Sequence, residues 1–125
     1  MDAPAPTAHL TVSPLLATLP GRDGERWVVA FEHGTLEVEL YAPRGADPQH
    51  PHTRDEVYVV VSGRGDFMCD GRRMSFGPGD LFFVAAGVEH RFEQFSDDFA
   101  TWVVFFGPSG GEIPQHRAEG ARHLE

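Results

Sequence analysis

His50-Pro51-His52-Thr53-Arg54-Asp55-Glu56-Val57-Tyr58-Val59-Val60-Val61 is the stretch on which the reading of this chain turns. Its first half offers imidazoles and carboxylates, and its second half is a β-branched apolar run. Val57 to Val61 is apolar on both faces, which suits a central strand covered on both sides. Alternate residues of an extended chain share a face, so His50 and His52 can point the same way across the pleat. Pro51 between them cannot donate to a ladder, which puts the pair at a strand edge or in a loop leading into a strand. Glu56 then opens the strand. Farther on, His90 closes Ala85-Ala86-Gly87-Val88-Glu89-His90 and opens another strand-like run. Together His50, His52, Glu56 and His90 are a candidate ligand set for one divalent metal with coordination positions to spare. Imidazole with carboxylate suits iron, manganese, nickel, copper or zinc. Lone histidines deserve a blander reading, and His9, His33, His116 and His123 are taken as surface residues.

The rest of the chain is strand after strand. Trp27 to Phe31 is a short apolar run. Leu36-Glu37-Val38-Glu39-Leu40 alternates strictly, and the simplest reading turns leucine and valine inward and the glutamates outward. Phe67-Met68-Cys69 leads into Asp70-Gly71, a two-residue hairpin signal, and the chain returns through Arg73 to Phe76. Gly77-Pro78-Gly79-Asp80 spells a tight turn. Leu81 to Val84, His90 to Phe95 and Thr101 to Phe106 are three further strands. Short strands at close spacing with glycine-rich turns describe an all-β sandwich or barrel. Residues 1–24 read as an Ala/Pro-rich extended arm with one short strand or turn, 25–107 as the barrel, and 108–125 as a polar tail.

Composition removes several functions. The 125 residues are enough for one domain with a single core. Acidic residues number 19 against 10 basic ones, a net charge of −9, which argues against nucleic acid or an anionic membrane surface as main partner. All ten basic residues are arginine, so chemistry through a lysine Schiff base is excluded. Cys69 is the only cysteine and reads as a small hydrophobe in a strand. No signal peptide or long apolar span is legible, and a cytoplasmic protein is the expectation. No GxSxG elbow supports a serine hydrolase, and Gly63-Arg64-Gly65 lacks the rest of a dinucleotide fingerprint.

Gly45-(four residues)-His50-Pro51-His52-(three)-Glu56-(six)-Gly63 resembles the first motif of the cupin family, with one residue fewer than usual after the leading glycine. Gly79-(five)-Ala85-Ala86-Gly87-(two)-His90-(three)-Glu93 resembles the second. Ala85 stands for the usual proline and Glu93 for the usual asparagine, neither a ligand position. The resemblance implies a small single-domain cupin: a double-stranded β-helix, or jelly roll, with one divalent transition metal inside one mouth. By motif position the implied ligands are His50, His52, Glu56 and His90. It also implies a homodimer in which an N-terminal strand packs against the partner, a role that the Leu15-Leu16-Ala17-Thr18-Leu19 patch would suit.

Four protein ligands on an octahedral metal leave two positions, enough for a bidentate small molecule or for substrate and dioxygen. The leading expectation is therefore a metal-dependent enzyme on a small organic molecule, dioxygenase-like before other subclasses. A non-catalytic ligand-binding or accessory cupin is the alternative, and a sugar isomerase or epimerase type the third. Around the ligands, Tyr58 is the candidate proton donor because it shares parity with Glu56. Phe82, Phe92, Gln94, Trp102, Phe105 and Arg54 are candidate pocket residues, the aromatic ones being equally at home in a barrel core. Arg91 faces away from His90 by strand alternation.

Overall fold

The computed structural model describes residues 5–113. Its elements are a one-turn helix α1 (Val12–Leu16) and eight strands: β1 (Trp27–His33), β2 (Leu36–Tyr41), β3 (Asp55–Ser62), β4 (Gly65–Cys69), β5 (Arg72–Phe76), β6 (Leu81–Val84), β7 (His90–Glu93) and β8 (Ala100–Phe106). They form a five-stranded antiparallel sheet in the order β1-β2-β8-β3-β6 and a three-stranded one in the order β5-β4-β7. The expected all-β architecture is the observed one. In the N-terminal arm the element is a helical turn, α1, which takes in Leu15 and Leu16 of the patch and lies against β2; of the short strand or turn expected there, the described residues show no strand. Among the described residues no helix is long and apolar enough to cross a membrane.

Turn chemistry sets the register. At the β4–β5 hairpin Asp70 and Gly71 both take positive φ, 52° and 77°, as a two-residue type I′ turn requires. Gly77-Pro78-Gly79-Asp80 closes on an Asp80 N–H···O=C Gly77 bond of 3.2 Å with Gly79 at φ 89°. That turn is tied to β3 through Gly79 N–H to the Val60 carbonyl at 2.8 Å. β7 stops at Glu93, short of the expected Phe95, because Gln94 enters the left-handed region at φ 49°.

Cross-strand register decides which side chains share the interior. One row runs Glu37–Phe105–Glu56–Val84 across β2, β8, β3 and β6, and the next runs Glu39–Val103–Tyr58–Phe82. The glutamates of β2 are therefore on the inner face, the reverse of the orientation expected from their alternation. Alternation gives parity, not sign. Here the opposite parity, Val38, Val104 and Val57, forms a second apolar face on the outside of the sheet. The dry core lies beneath the three-stranded sheet, where Phe67, Phe76, Phe92 and Phe99 pack with Tyr58. Cys69 packs against this cluster as a partly buried hydrophobe.

The described part of the tail folds back. Asp55, buried, accepts from the backbone N–H groups of Ala86 and Glu112, both at 2.9 Å, and Gly110 N–H donates to the Thr53 carbonyl. The expectations for His116, His123 and the remaining tail lie outside the described residues.

Candidate metal centre

Three elements bring the candidate ligands together. Glu56 projects inward from β3, His90 is the first residue of β7, and His52 lies in the irregular segment 42–54 that precedes β3. Their ligand atoms lie within 4.8 Å of one another. Glu56 is only 1% exposed, and neither of its carboxylate oxygens has a hydrogen-bond partner. Oε1 lies 2.9 Å from His90 Nε2 but out of line for a hydrogen bond. A buried carboxylate left in this way carries a large desolvation cost, and a cation seated between it and two imidazoles would remove that cost. The residues present thus fit a divalent metal.

Second contacts orient the imidazoles. His90 Nδ1 lies 2.9 Å from the Val88 carbonyl. That bond assigns the Nδ1–H tautomer and leaves Nε2 facing Glu56. Burial works against protonation of His90, but the Glu56 carboxylate and the Val88 carbonyl outweigh it and hold its pKa above the ordinary value. His52 is held below the ordinary value, chiefly by burial and with His90 adding to it, against the pull of Glu56.

In front of the cluster opens a cavity of about 630 Å³. Of the three clustered residues only His52 lines it; Glu56 and His90 lie behind. Its walls come from β2 (Glu37, Glu39, Tyr41), β8 (Val103, Phe105), Trp27, Gln49 and Arg54. Arg54 reaches over the Phe105 ring at 5.6 Å, donates to the Thr35 carbonyl and sits 3.9 Å from Glu37. Burial, followed by the hydrogen bond and charge of Glu37, raises the Glu39 carboxyl to about 8.

The candidates divide accordingly. His52, Glu56 and His90 converge; His50 does not. His50 is exposed and faces a separate shallow depression shared with Arg91 and Gln94. The reason is local: segment 42–54 is not a strand, so the parity that would pair His50 with His52 does not apply. Phe105 and Arg54 line the cavity. Tyr58 reaches the cluster but not the cavity: its hydroxyl donates to Gln49 Oε1 at 2.8 Å and lies 2.9 Å from His90 Nε2. Its pKa is well above the ordinary value, through burial first and the Glu56 charge second. Phe92 is core, with Tyr58 edge-on at 4.9 Å, and Phe82 lies against Phe67 at 4.5 Å. Trp102 opposes Leu40 and Val59 on the outer face of the sheet, away from the cavity. Gln94 is turned out by its left-handed backbone and is exposed.

Sequence reasoning passed over Glu37, Glu39, Tyr41, Asp47 and Gln49. The glutamates were hidden by the sign of the alternation. Asp47 and Gln49 lie in an irregular loop where periodicity says nothing. The only hint was the shortened spacing between Gly45 and His50.

The family model describing the cupin domain matches residues 37–106. The chain belongs to the cupin family. It is 40% identical over 75 residues to an uncharacterised protein of Streptomyces coelicolor, covering 58% of this chain and 71% of that one. It is 31% identical over 80 residues to the acireductone dioxygenase of Bacillus velezensis, covering 60% of this cupin and 45% of that enzyme. The chain thus spans less than half the length of that dioxygenase. A cupin 2 conserved barrel domain protein from Salinispora arenicola superposes with a TM-score of 0.62 at 20% identity, over 82% of this chain and 90% of that one. This last likeness shows the fold, a double-stranded β-helix.

Proposed function

We propose that this cupin is a metal-dependent enzyme of the oxygenase type that acts on a small organic molecule, with one divalent transition metal held by His52, Glu56 and His90. The observation that carries the proposal is the Glu56 carboxylate, buried and without a hydrogen-bond partner, between two imidazoles behind an open cavity. A bound metal supplies Lewis-acid and redox chemistry at its open positions, and two imidazoles with one carboxylate are the donor set of non-haem iron(II) oxygenases. The 31% identity to an acireductone dioxygenase supports the same subclass.

The chain's own groups have distinct tasks in this reading. His52 is the clustered residue that a molecule in the cavity meets first. Phe105, with Arg54 laid over its ring, gives the cavity a flat wall suited to a partly apolar ligand. Phe67 and Phe92 close the opposite side and keep water from reaching His90 and Glu56 from behind. Tyr58 is a positioning residue, holding Gln49 through its hydroxyl while that oxygen lies beside His90 Nε2. Two copies of the cupin pair in this reading through the outer sheet face, where Leu81 and Phe83 are 62% and 56% exposed.

Metal content of protein purified without chelator tests the proposal, with H52A and H90A as controls. Native protein is expected to hold most of an equivalent of one transition metal, with loss in both variants. A native content below about a tenth of an equivalent overturns it. Dioxygen uptake with a panel of small metabolites then tests the oxygenase subclass.

A further inference from the structure

Arg26 and Arg44 meet at one carbonyl on the cavity wall. Arg26 donates through Nε to the Ala42 carbonyl at 2.8 Å, and Arg44 donates through Nη1 to the same oxygen at 3.2 Å. Nη1 of Arg44 also bonds to the carbonyls of Pro43, at 2.9 Å, and Phe99, at 3.2 Å. Both side chains line the cavity of about 630 Å³. They are held side by side by neutral acceptors, which fix the groups without cancelling their charge. A guanidinium presents donors on all three nitrogens. Both terminal nitrogens of Arg26, and Nε and Nη2 of Arg44, have no hydrogen-bond partner among the described residues.

The chain has 19 acidic residues, yet among the described residues no carboxylate stands within ion-pair distance of either arginine. Glu25, on the same wall, turns its carboxylate back to the Asp23 N–H at 3.1 Å. Glu39 and Glu37 lie farther along β2. The Arg26 carbonyl accepts from the Ala42 N–H, which puts these glutamates about 10 and 17 Å away along the strand. Burial, then the Arg44 charge, lowers the Arg26 pKa from its ordinary value, so the two cations are kept together against their own repulsion.

We infer that Arg26 and Arg44 form an oxyanion subsite of the cavity, and that the small molecule it takes carries a carboxylate or phosphate group remote from its reacting atoms. This rests on reading the cavity as the substrate site of the metal centre, and it adds the charge of the ligand. Guanidinium forks match the planar oxygens of a carboxylate and the oxygens of a phosphate, and a fork already held in place loses little freedom on binding. The remoteness follows from His52, whose ring lies 4.9 Å from Phe105, the residue opposite Glu37. An oxyanion on the arginines therefore anchors one end of the ligand and holds the other toward the cluster.

Fluorine NMR titrations of metal-free protein test the subsite, with the chelator dialysed away because it is itself a polycarboxylate. The probes are para-fluorobenzoate, para-fluorophenyl phosphate and the uncharged para-fluorobenzamide. Wild type is expected to bind at least one of the two anions, and the amide about tenfold more weakly. The tighter anion tells a carboxylate ligand from a phosphate one. Affinity for it falls about 10–100-fold in R26Q and in R44Q. It is unchanged in R72Q, a substitution at an exposed arginine of β5 outside the cavity. R26K keeps the charge and gives up the fork, so it retains more affinity than R26Q, which a purely structural role for Arg26 would not produce. Thermal unfolding checks that the variants are folded. An amide bound as tightly as the anions overturns the proposal, as does anion affinity kept in R26Q and R44Q. Wild type that binds neither anion, or binding lost equally in R72Q, overturns it too. The titration contains no metal, so native protein without metal would overturn the metal-dependent reading and not this subsite.

Discussion

Beneath the three-stranded sheet the interior of the barrel is dry and aromatic; beneath β2 and the loop preceding β3 it is polar and open. Tyr58 spans the two. Its ring packs edge-on to Phe67 and Phe92 at 5.7 and 4.9 Å, while its hydroxyl contacts Gln49 and His90. On the dry side Phe67, Phe76, Phe92 and Phe99 hold one another at centroid separations between 4.7 and 5.4 Å. On the open side the same layer carries Glu37, Glu39, Glu56 and His52 around or behind a 630 Å³ cavity. The difference separates what holds the fold from what the fold holds. Aromatic burial stabilises the first region, whereas the second keeps unpaired charge in place at the expense of stability.

Cutting into the dry side has the largest effect. Phe92 is 1% exposed and touches Tyr58, Phe67, Phe76 and Phe99. F92A is expected to lower the unfolding free energy by about 3–5 kcal/mol in a urea titration of metal-free protein, through lost burial and the cavity left behind. A cost below about 1 kcal/mol would mean that this side is loosely packed and the contrast between the two regions is wrong.

On the open side a substitution at a residue buried as deeply, Glu56, is expected to act with the opposite sign. E56Q replaces a partnerless buried carboxylate with a neutral group of the same shape. Metal-free E56Q is expected to be more stable than wild type by about 1–2 kcal/mol, measured by urea unfolding in the presence of chelator. The same substitution is expected to abolish the proposed metal uptake, read by metal analysis of protein purified without chelator. If E56Q were instead less stable, Glu56 would already be paired in the metal-free protein, with a protonated His90 as the partner 2.9 Å away.

The two regions also differed in how far they could be read in advance. The dry side was legible because it rests on local rules. The Asp70-Gly71 hairpin, the Gly77–Asp80 turn and the bounds of Leu81–Val84 follow from turn chemistry and β-branched runs, and the structure repeats them. Glu56 and His90 were legible because each begins a strand, where position along the chain fixes direction. The open side was legible only in part, since its orientations depend on tertiary choices. Leu36 to Leu40 has an unmistakable period, yet its sign is set by which face of β2 meets β8 and the cavity. His50 and Gln49 lie between prolines in a segment without period. There Gln49 bonds to Asp47, which Tyr41 and Phe92 hold in turn, a contact that no period announces. Trp102 and Gln94 lie away from the 630 Å³ cavity for the same two reasons, an inverted sign and a broken period.

The smallest effect concerns Glu39 and tests the open side by pH. Its carboxyl stands at about 8 against an ordinary value of 4.5, because of burial and then the neighbouring Glu37. The folded chain therefore keeps a proton that the unfolded chain has shed across the window from 4.5 to about 8. Stability falls with rising pH wherever the folded state binds more protons, so this contribution is full below 4.5 and gone above about 8. Other groups titrate in the same window, so the informative quantity is the difference between wild type and E39Q. Thermal midpoints of metal-free protein, taken across that window, should show wild type losing about 2–4 °C relative to E39Q as pH rises. Glu39 is partly open to the cavity, and solvent screening holds the effect to that size. A difference that stays flat would show Glu39 ionised throughout, with Arg54 turned from Glu37 to neutralise it. The wall of the cavity would then be an ion pair instead of a pair of carboxyl groups sharing a proton.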